Sequence, residues 1–151
     1  MYPYFQKTIS AAEMPPNPLS DFLSENPAFG TLLFQVQGGQ GAFPIAHAAV
    51  TLTKELQEGQ LLSFTLTTDE SGRTEPLSLP APRRILSQKP GSEAVYATYQ
   101  AKVTAAGYLP VTIRDLPVFD GITTIQPVRL SPDFGQNTAE GEIIEDKAPQ
   151  L

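Results

Sequence analysis

The sequence predicts an all-β domain, a seven-stranded antiparallel Greek-key sandwich with a short N-terminal helix and extended tails. Fifteen prolines and eleven glycines in 151 residues are too many for a helix bundle and suit short strands joined by turns. Seven segments alternate apolar and polar residues with a period of two, and none sustains the 3.6-residue period of a helix. Turn-forming residues separate these segments, which is typical of antiparallel strands with one dry and one wet face.

The seven predicted strands share one pattern, in which alternate side chains face the core. In the third strand Leu62, Phe64 and Leu66 face inward, while hydroxyl side chains lie between them. In the fifth strand Tyr99 falls on the inward side. The proline-rich segment 80–90 fits no strand, so we interpret it as a crossover loop between the two sheets. The predicted strands are residues 31–37, 49–53, 61–67, 75–79, 96–105, 109–113 and 123–130.

Four residues mark tight turns between the strands. The stretch 69–72 (DESG) lacks the alternating acidic ligands of a calcium loop, so we interpret it as a turn. In this turn Asp69 can bond to its own backbone and Gly72 can adopt a positive φ. Gly107 and Gly121 supply the same backbone freedom in two later turns. We therefore expect Gly107→Val to unfold the domain.

The chain divides into a folded unit and two extensions. Residues 1–28 form an N-terminal extension with a short helix near 18–25, since Asn17 can cap a helix and Pro18 suits its first position. Residues 29–132 form the β-sandwich domain. Residues 133–151 are acidic and are expected to form a flexible tail.

The net charge of −6 lies at the two ends of the chain. Residues 29–130 carry eight basic and eight acidic side chains, so the predicted domain is neutral. Phosphate binding requires a basic patch, and nucleic acid is therefore not an expected partner. No run approaches the roughly 18 apolar residues of a membrane span, and the N-terminus lacks the pattern of a secretory signal.

The residues that carry most enzyme chemistry are scarce. The chain has no cysteine and one histidine, His47, so a thiolate nucleophile and a zinc site of histidines and cysteines are excluded. A lone histidine beside small apolar residues is typical of a strand edge or loop. Arg114 and Asp115 are adjacent in a predicted strand, so their side chains are expected on opposite faces. We predict a protein that is not an enzyme and has no catalytic residues, metal or cofactor.

Two groups of residues are candidates for contact with partners. Tyr96 and Tyr108, together with Arg83 and Arg84, form a candidate surface for a cell-wall glycan or a peptide. The second group is at the N-terminus, where the spacing of apolar residues is typical of a strand that could pair with a neighbour's open sheet edge. This candidate assembly strand contains Tyr2, Tyr4, Phe5 and Ile9.

Several stretches of residues 29–132 together resemble the carboxypeptidase regulatory-like domain. They are GTLLFQVQ, PIAHAAVTLT, LTTDESGRT, LPAP, YATYQAKVTAAGYLPVTIRDLPVFDG and IQPVRLSP. The resemblance implies a transthyretin-like (prealbumin) sandwich, in the version seen in clostridial-type Gram-positive bacteria. It implies no catalytic activity, because in metallocarboxypeptidases this domain accompanies a separate catalytic domain and contributes no zinc ligand.

These observations predict a structural or adhesive module of a bacterial envelope, spore or extracellular assembly. Its expected partners are other proteins or further copies of itself, through the N-terminal extension. The alternative is a module that binds cell-wall glycan or a peptide. We expect a cell-surface or spore location, reached by cytoplasmic synthesis and assembly or by another export route.

Overall fold

The computed structural model describes residues 17–84, 96–134 and 142–145. Within these residues two β-sheets enclose one apolar core and a single α-helix precedes them, so the predicted all-β sandwich is confirmed. Each of the seven predicted strands has a counterpart, and the described residues contain two further short strands. The elements are α1 (Pro18–Glu25), β1 (Ala28–Gly38), β2 (Phe43–Pro44), β3 (Ala49–Glu55), β4 (Leu61–Thr67), β5 (Leu77–Ala81), β6 (Ala97–Thr104), β7 (Val111–Val118), β8 (Thr123–Arg129) and β9 (Glu142–Glu145).

The two sheets differ in width. In the first sheet β1 is central, with β8 on one side and with β5 and β2 one after the other on the opposite side. The second sheet is five strands wide, in the order β4-β3-β6-β7-β9. The pairs are antiparallel except β1–β8 and β7–β9, which are parallel. Alternation along a strand indicates which face is buried but not the direction of its neighbour, so the sequence pattern does not indicate these two pairs.

The core follows the period-two pattern of the strands. Leu32, Phe34 and Val36 on β1 have no exposed surface, and the intervening side chains are half-buried. Burying a side chain of this size stabilises the fold by about 1.5–3 kcal/mol. Tyr99 lies inward as predicted, and its hydroxyl donates a hydrogen bond of 2.7 Å to the carbonyl of Pro80. The phenol therefore links the two sheets without leaving a buried polar group unpaired.

Helix α1 forms where the sequence predicts it, and its Phe22 side chain packs into the core of the sandwich. The Asn17 side chain accepts a hydrogen bond of 3.1 Å from the Ser20 N–H, which caps the first turn. Phe22 is buried in the core, where its ring meets the Tyr99 ring edge-on at 6.5 Å. One aromatic side chain of the helix therefore completes the core, although the predicted β-sandwich domain begins at residue 29.

Two segments predicted to be irregular contain strands. Strand β5 continues through Pro80, which pairs with Phe29 of β1. Pro80 is tolerated there because β5 is an edge strand and needs hydrogen-bond donors on one side only. The tail predicted to be flexible contains β9, which pairs with β7. The isoleucine pair at 143–144 is the apolar signal for this strand, and the acidic composition of the tail conceals it.

Candidate interaction surface

Most edge strands of the sandwich carry a feature that limits pairing with another chain. Short length, proline and charged ends all have this effect, because they remove ladder donors or make pairing costly. Four edges have such features: β2 has two residues and contains Pro44, β5 contains Pro80, β8 contains Pro127, and β9 has four residues with Glu142 and Glu145 at its ends.

Strand β4 is the edge without such protection. Its seven residues, LLSFTLT, include no charge, proline or glycine, and within the described residues it pairs with β3 alone. Two hydrogen bonds to the β3 side lie just beyond the two ends of β4. The Leu56 N–H donates to Gln60 O at 2.8 Å, and the Thr68 N–H donates to Ala48 O at 3.0 Å. Hydrogen-bonded and non-bonded pairs alternate in an antiparallel ladder, so the even-numbered residues of β4 bond to β3. The backbone groups of the odd-numbered residues, 61 to 67, point away from the sheet.

The inner face of β4 is only partly covered. Val50 and Leu52, on the same face of the neighbouring strand β3, have no exposed surface. The β4 side chains pack against the same core but remain half-buried. The first sheet is narrower than the second, so it cannot cover every strand of the second sheet. Leu77 on β5 is half-buried as well. Leu62, Phe64, Leu66 and Leu77 are thus half-buried apolar side chains at the margin of the core, and we call this set the β4–β5 seam.

The two strands that contribute to the seam, β4 of the second sheet and β5 of the first, lie on the same side of the sandwich. Even-numbered residues of β1 direct their backbone groups toward β2 and β5, since the Ile45 N–H donates to Val36 O at 2.9 Å. The chain leaving β4 bonds on that side: the Val36 N–H donates to Gly72 O at 2.7 Å, and the Thr74 N–H donates to Phe34 O at 3.0 Å. The connection from β4 to β5 therefore closes one end of the seam.

The connection itself is densely bonded. The Thr68 hydroxyl accepts from the Ala48 N–H at 2.9 Å and donates to Ile45 O at 2.7 Å. The Thr74 hydroxyl accepts from the Phe34 N–H at 2.9 Å. Both threonines are buried, so water does not reach these backbone N–H groups. Each threonine hydroxyl serves as the hydrogen-bond acceptor in its place. These bonds and the ladder with β3 hold β4 in position although its inner face is not fully packed.

Asp69 and Gly72 shape the same connection. The Asp69 carboxylate accepts hydrogen bonds from the Ser71 N–H at 2.8 Å and from the Arg73 N–H at 3.1 Å. Gly72 has φ +76°, and a Cβ added to it would lie 2.5 Å from the Val36 carbonyl oxygen. The two residues thus act as parts of a turn, and nothing in their geometry indicates a cation site.

The structure separates the residues of the candidate glycan surface. Tyr96 precedes β6, and its ring lies 5.4 Å from the ring of Phe119 at the end of β7. Tyr108 lies beyond the other end of β6, in a bridge to Pro132. The eight residues of β6 lie between the two tyrosines and span roughly 26 Å. They do not form one stacking surface.

Arg83 and Arg84 lie at the Tyr96 end of the sandwich. Both follow β5 and are exposed. The Arg84 N–H donates to the Asp120 carboxylate at 2.9 Å, and Asp120 directly follows Phe119. The arginines therefore share an end with Tyr96 and not with Tyr108.

A lysine that the sequence analysis missed lies at this same end. Lys54 shares the inward register of Val50 and Leu52, and its ammonium lies 5.9 Å from the ring centres of both Phe22 and Tyr99. Burial lowers the pKa of Lys54, and the nearby Asp115 carboxylate opposes that shift. The signal in the sequence was the two-residue spacing of positions 50, 52 and 54. A cation at the third position is stabilised there by aromatic faces.

Arg114 and Asp115 do not lie on opposite faces. The β6–β7 ladder shifts register here, and two residues of β7 face one of β6 between the Tyr99–Leu116 and Ala101–Ile113 pairs. Asp115 has φ +57°, and the side chains of Arg114 and Asp115 are both exposed. The cause is a β-bulge, which the alternation cannot indicate because it interrupts the period of two.

A shallow cleft of about 330 Å³ lies between α1 and the second sheet. Lys54 lines it together with Asp21 and Glu25 of the helix and Tyr96. No group of three or more histidine, cysteine or acidic side chains that could hold a metal occurs within residues 17–84, 96–134 and 142–145. In the same part of the chain, no helix is long and apolar enough to cross a membrane.

The remaining predicted turn residues lie in open positions. Gly107 has φ +86° and Gly121 has φ +74°, and a Cβ added to either would meet no atom within 4 Å. His47 is exposed just before β3 with φ +61°, and its backbone N–H donates to Thr68 O at 3.1 Å. The candidate assembly strand lies outside the described residues.

Comparisons with known proteins add little about function. No protein-family model matches the chain, so the resemblance to the carboxypeptidase regulatory-like domain stays an interpretation. No curated protein matches it either.

Three solved structures are similar over part of their length. The TIE protein of Bacillus anthracis has a TM-score of 0.47 and 17% identity, covering 70% of this chain and 17% of that one. Catechol 1,2-dioxygenase from Acinetobacter sp. ADP1 has a TM-score of 0.49 and 11% identity, covering 79% and 58%. GBS52, the minor pilin of Streptococcus agalactiae, has a TM-score of 0.46 and 15% identity, covering 75% and 48%. The chain spans less than two thirds of each, and at these scores the likenesses carry no argument about function.

Proposed function

We propose that this chain is a non-enzymatic structural or adhesive module that forms protein assemblies by strand pairing. The observation that supports the proposal is the unprotected edge of β4. A long, uncharged edge strand is a template for pairing with another strand, and proteins that do not use such an edge usually block it. The other edges of this sandwich are blocked, and β4 differs from them in length, charge and proline content.

The proposed donor is the N-terminal segment with Tyr2, Tyr4, Phe5 and Ile9. A segment at one end of a subunit that pairs with an edge elsewhere on the next subunit makes a heterologous contact. Such a contact repeats head to tail and does not close by itself. The proposed setting is a bacterial envelope, a spore or an extracellular assembly, where a repeating contact builds a layer or a fibre.

Truncation of the N-terminal segment tests this function. The truncated chain should begin at Asn17, because α1 buries Phe22 in the core and Asn17 caps that helix. We expect the full chain to form species larger than a monomer in light scattering and electron microscopy, and the truncated chain to stay monomeric. If the full chain is a compact monomer at high concentration, the assembly function is wrong.

A second candidate function is the binding of cell-wall glycan or a peptide at the Tyr96 end. The tilted Tyr96–Phe119 pair supports it, since paired rings beside a cleft suit a sugar or a peptide side chain. Co-sedimentation with purified peptidoglycan tests this candidate. Tyr96→Ala should abolish binding, while Tyr108→Ala, at the other end of β6, is the matched control. If the wild-type chain does not enter the pellet, glycan binding is excluded.

A further inference from the structure

We infer that the β4–β5 seam is the acceptor site for residues 2–9 of a second copy of this chain. The inference rests on the proposed function and adds the apolar side chains that receive the donor, the charges beside them and the hydrogen-bond pattern of the contact. It follows from three features of the described residues: free backbone groups on β4, uncovered apolar side chains beneath them, and acidic side chains at both ends.

The backbone of β4 offers a complete set of positions for a new ladder. Its odd-numbered residues, including Ser63 and Thr65, direct their N–H and carbonyl groups away from β3. Seven residues of strand extend over roughly 23 Å. The sixteen residues before Asn17 can span up to about 53 Å when extended. They can therefore follow the whole of β4 and still leave several residues as a connection to their own domain.

The side chains of the seam need an apolar partner. Leu62, Phe64 and Leu66 are half-buried where their neighbours on β3 are fully buried, so an added strand would remove further apolar surface from water. That gain is roughly 25 cal/mol per Å². Residues 2–9 supply two tyrosines on one face of an extended segment and Phe5 and Ile9 on the other. Either face presents apolar side chains to the seam.

Proline at position 3 determines which donor residues can bond to β4. Backbone N–H groups alternate between the two sides of a strand, and Pro3 has none. Its side of the segment should therefore face away from β4. The ladder then forms through the residues at positions 4, 6 and 8, of which Gln6 is central.

The charges around the seam suit this occupant. Four exposed acidic side chains flank β4, Glu55 and Glu58 at one end and Asp69 and Glu70 at the other. They outnumber the two basic side chains nearby, Arg73 and Lys54, of which Lys54 pairs with Leu62. Lys7 is the single charged side chain in residues 1–12. A segment with one positive and no negative charge is favoured by an acidic rim, which guides association more than it adds affinity.

Blocking each side of the contact in a different variant tests the inference. Thr65→Pro removes an outward N–H of β4 without removing a bond to β3, and Gln6→Pro removes the central donor of the segment. We expect each variant alone to be monomeric, while an equimolar mixture gives a 1:1 dimer, because one intact donor and one intact acceptor remain. Thr65→Ala, which keeps the N–H, is the matched control and should assemble like the wild type. Ser63→Pro replaces Thr65→Pro if the latter does not fold.

Hydrogen exchange on the wild-type chain gives a second reading that does not depend on a variant's stability. On assembly, the exchange rates of the Ser63, Thr65 and Thr67 amides should fall to about one tenth or lower. The amides of Leu62 and Phe64 already bond to β3, so their exchange rates should change little. Assemblies that persist in the β4 proline variants, or exchange rates that stay unchanged on β4, would overturn the seam as the site while leaving the assembly function standing. A wild-type chain that is monomeric throughout would instead overturn both. Protection of β4 in a monomer would mean that the chain's own segment occupies the seam, which also contradicts the second copy.

Discussion

Two connections in this domain are built in opposite ways. The connection from β4 to β5 is densely bonded and includes two buried threonines, yet it follows a strand whose inner face is half-covered. The turn from β6 to β7 is open around Gly107, yet it joins two strands whose inward side chains are almost fully buried. Packing therefore fixes the position of β6 and β7, whereas β4 depends on its ladder with β3 and on its connection.

This difference explains how an edge can stay ordered without a complete cover. A strand with weak packing on one face would fray if nothing else held it, because ordering a residue costs about 1–2 kcal/mol of conformational entropy. The Thr68 hydroxyl and the Gly72 carbonyl bind β4's exit to both sheets, through Ala48 on one and Val36 on the other. An edge that is held in place while its groove remains open is what the proposed acceptor requires.

The largest effect should come from Gly72→Val, which attacks the connection directly. The new Cβ would meet the Val36 carbonyl oxygen at 2.5 Å, and φ +76° is strained for any residue with a side chain. Overpacking and left-handed strain each cost about 1–3 kcal/mol, so the loss should be roughly 2–6 kcal/mol. Urea unfolding followed by circular dichroism measures it. A fully stable variant would show that the connection does not hold β4.

A matched pair of truncations compares the two kinds of packing. Leu52→Ala removes a side chain with no exposed surface from β3 and should cost about 2–5 kcal/mol. Leu66→Ala makes the same change on half-covered β4, so less transfer energy is lost and the groove can admit water instead of a cavity. We expect the second cost to be about half of the first in the monomer. Equal costs in chemical unfolding would mean that the seam is already closed.

Gly107→Val tests the opposite kind of turn. From the sequence we expected this change to unfold the domain. In the structure a Cβ at Gly107 meets no atom within 4 Å, so no steric clash adds to the backbone strain. The remaining cost is the strain of φ +86°, about 1–3 kcal/mol, and the domain should stay folded. Thermal unfolding of Gly107→Val and Gly72→Val in parallel measures the two losses of stability. An unfolded Gly107→Val variant would support the expectation from the sequence.

The sequence predicts the parts of this fold that depend on local alternation. The inward register of Leu32, Phe34 and Tyr99 follows from the period of two, and the cap at Asn17 follows from side-chain chemistry. Features that depend on distant partners could not be predicted this way. The bulge at Asp115 breaks the period, and the burial of Phe22 depends on a strand far along the chain.

The open edge of β4 is of the second kind. The inward placement of its leucines is visible in the sequence, but their incomplete burial in the folded sandwich is not. Strand count and alternation alone do not indicate which strand lies at an edge. The proline in β5 and in β8 is the one local signal, since it favours an edge position, and β4 lacks it.

The smallest effect should come from Tyr99→Phe, which removes the hydrogen bond from β6 to β5 and keeps the packing. The loss at neutral pH should be about 1 kcal/mol, with the Pro80 carbonyl left without its hydroxyl donor. Burial raises the pKa of Tyr99 above its ordinary value of 10.0, so the unfolded chain loses this proton at a lower pH than the folded chain does. The stability that Tyr99 contributes is therefore complete below pH 10 and declines as the pH rises above it. Urea unfolding of both chains from pH 7 to 11 should show the gap between them narrowing above pH 10; a constant gap would mean that the phenol is not buried in the folded domain.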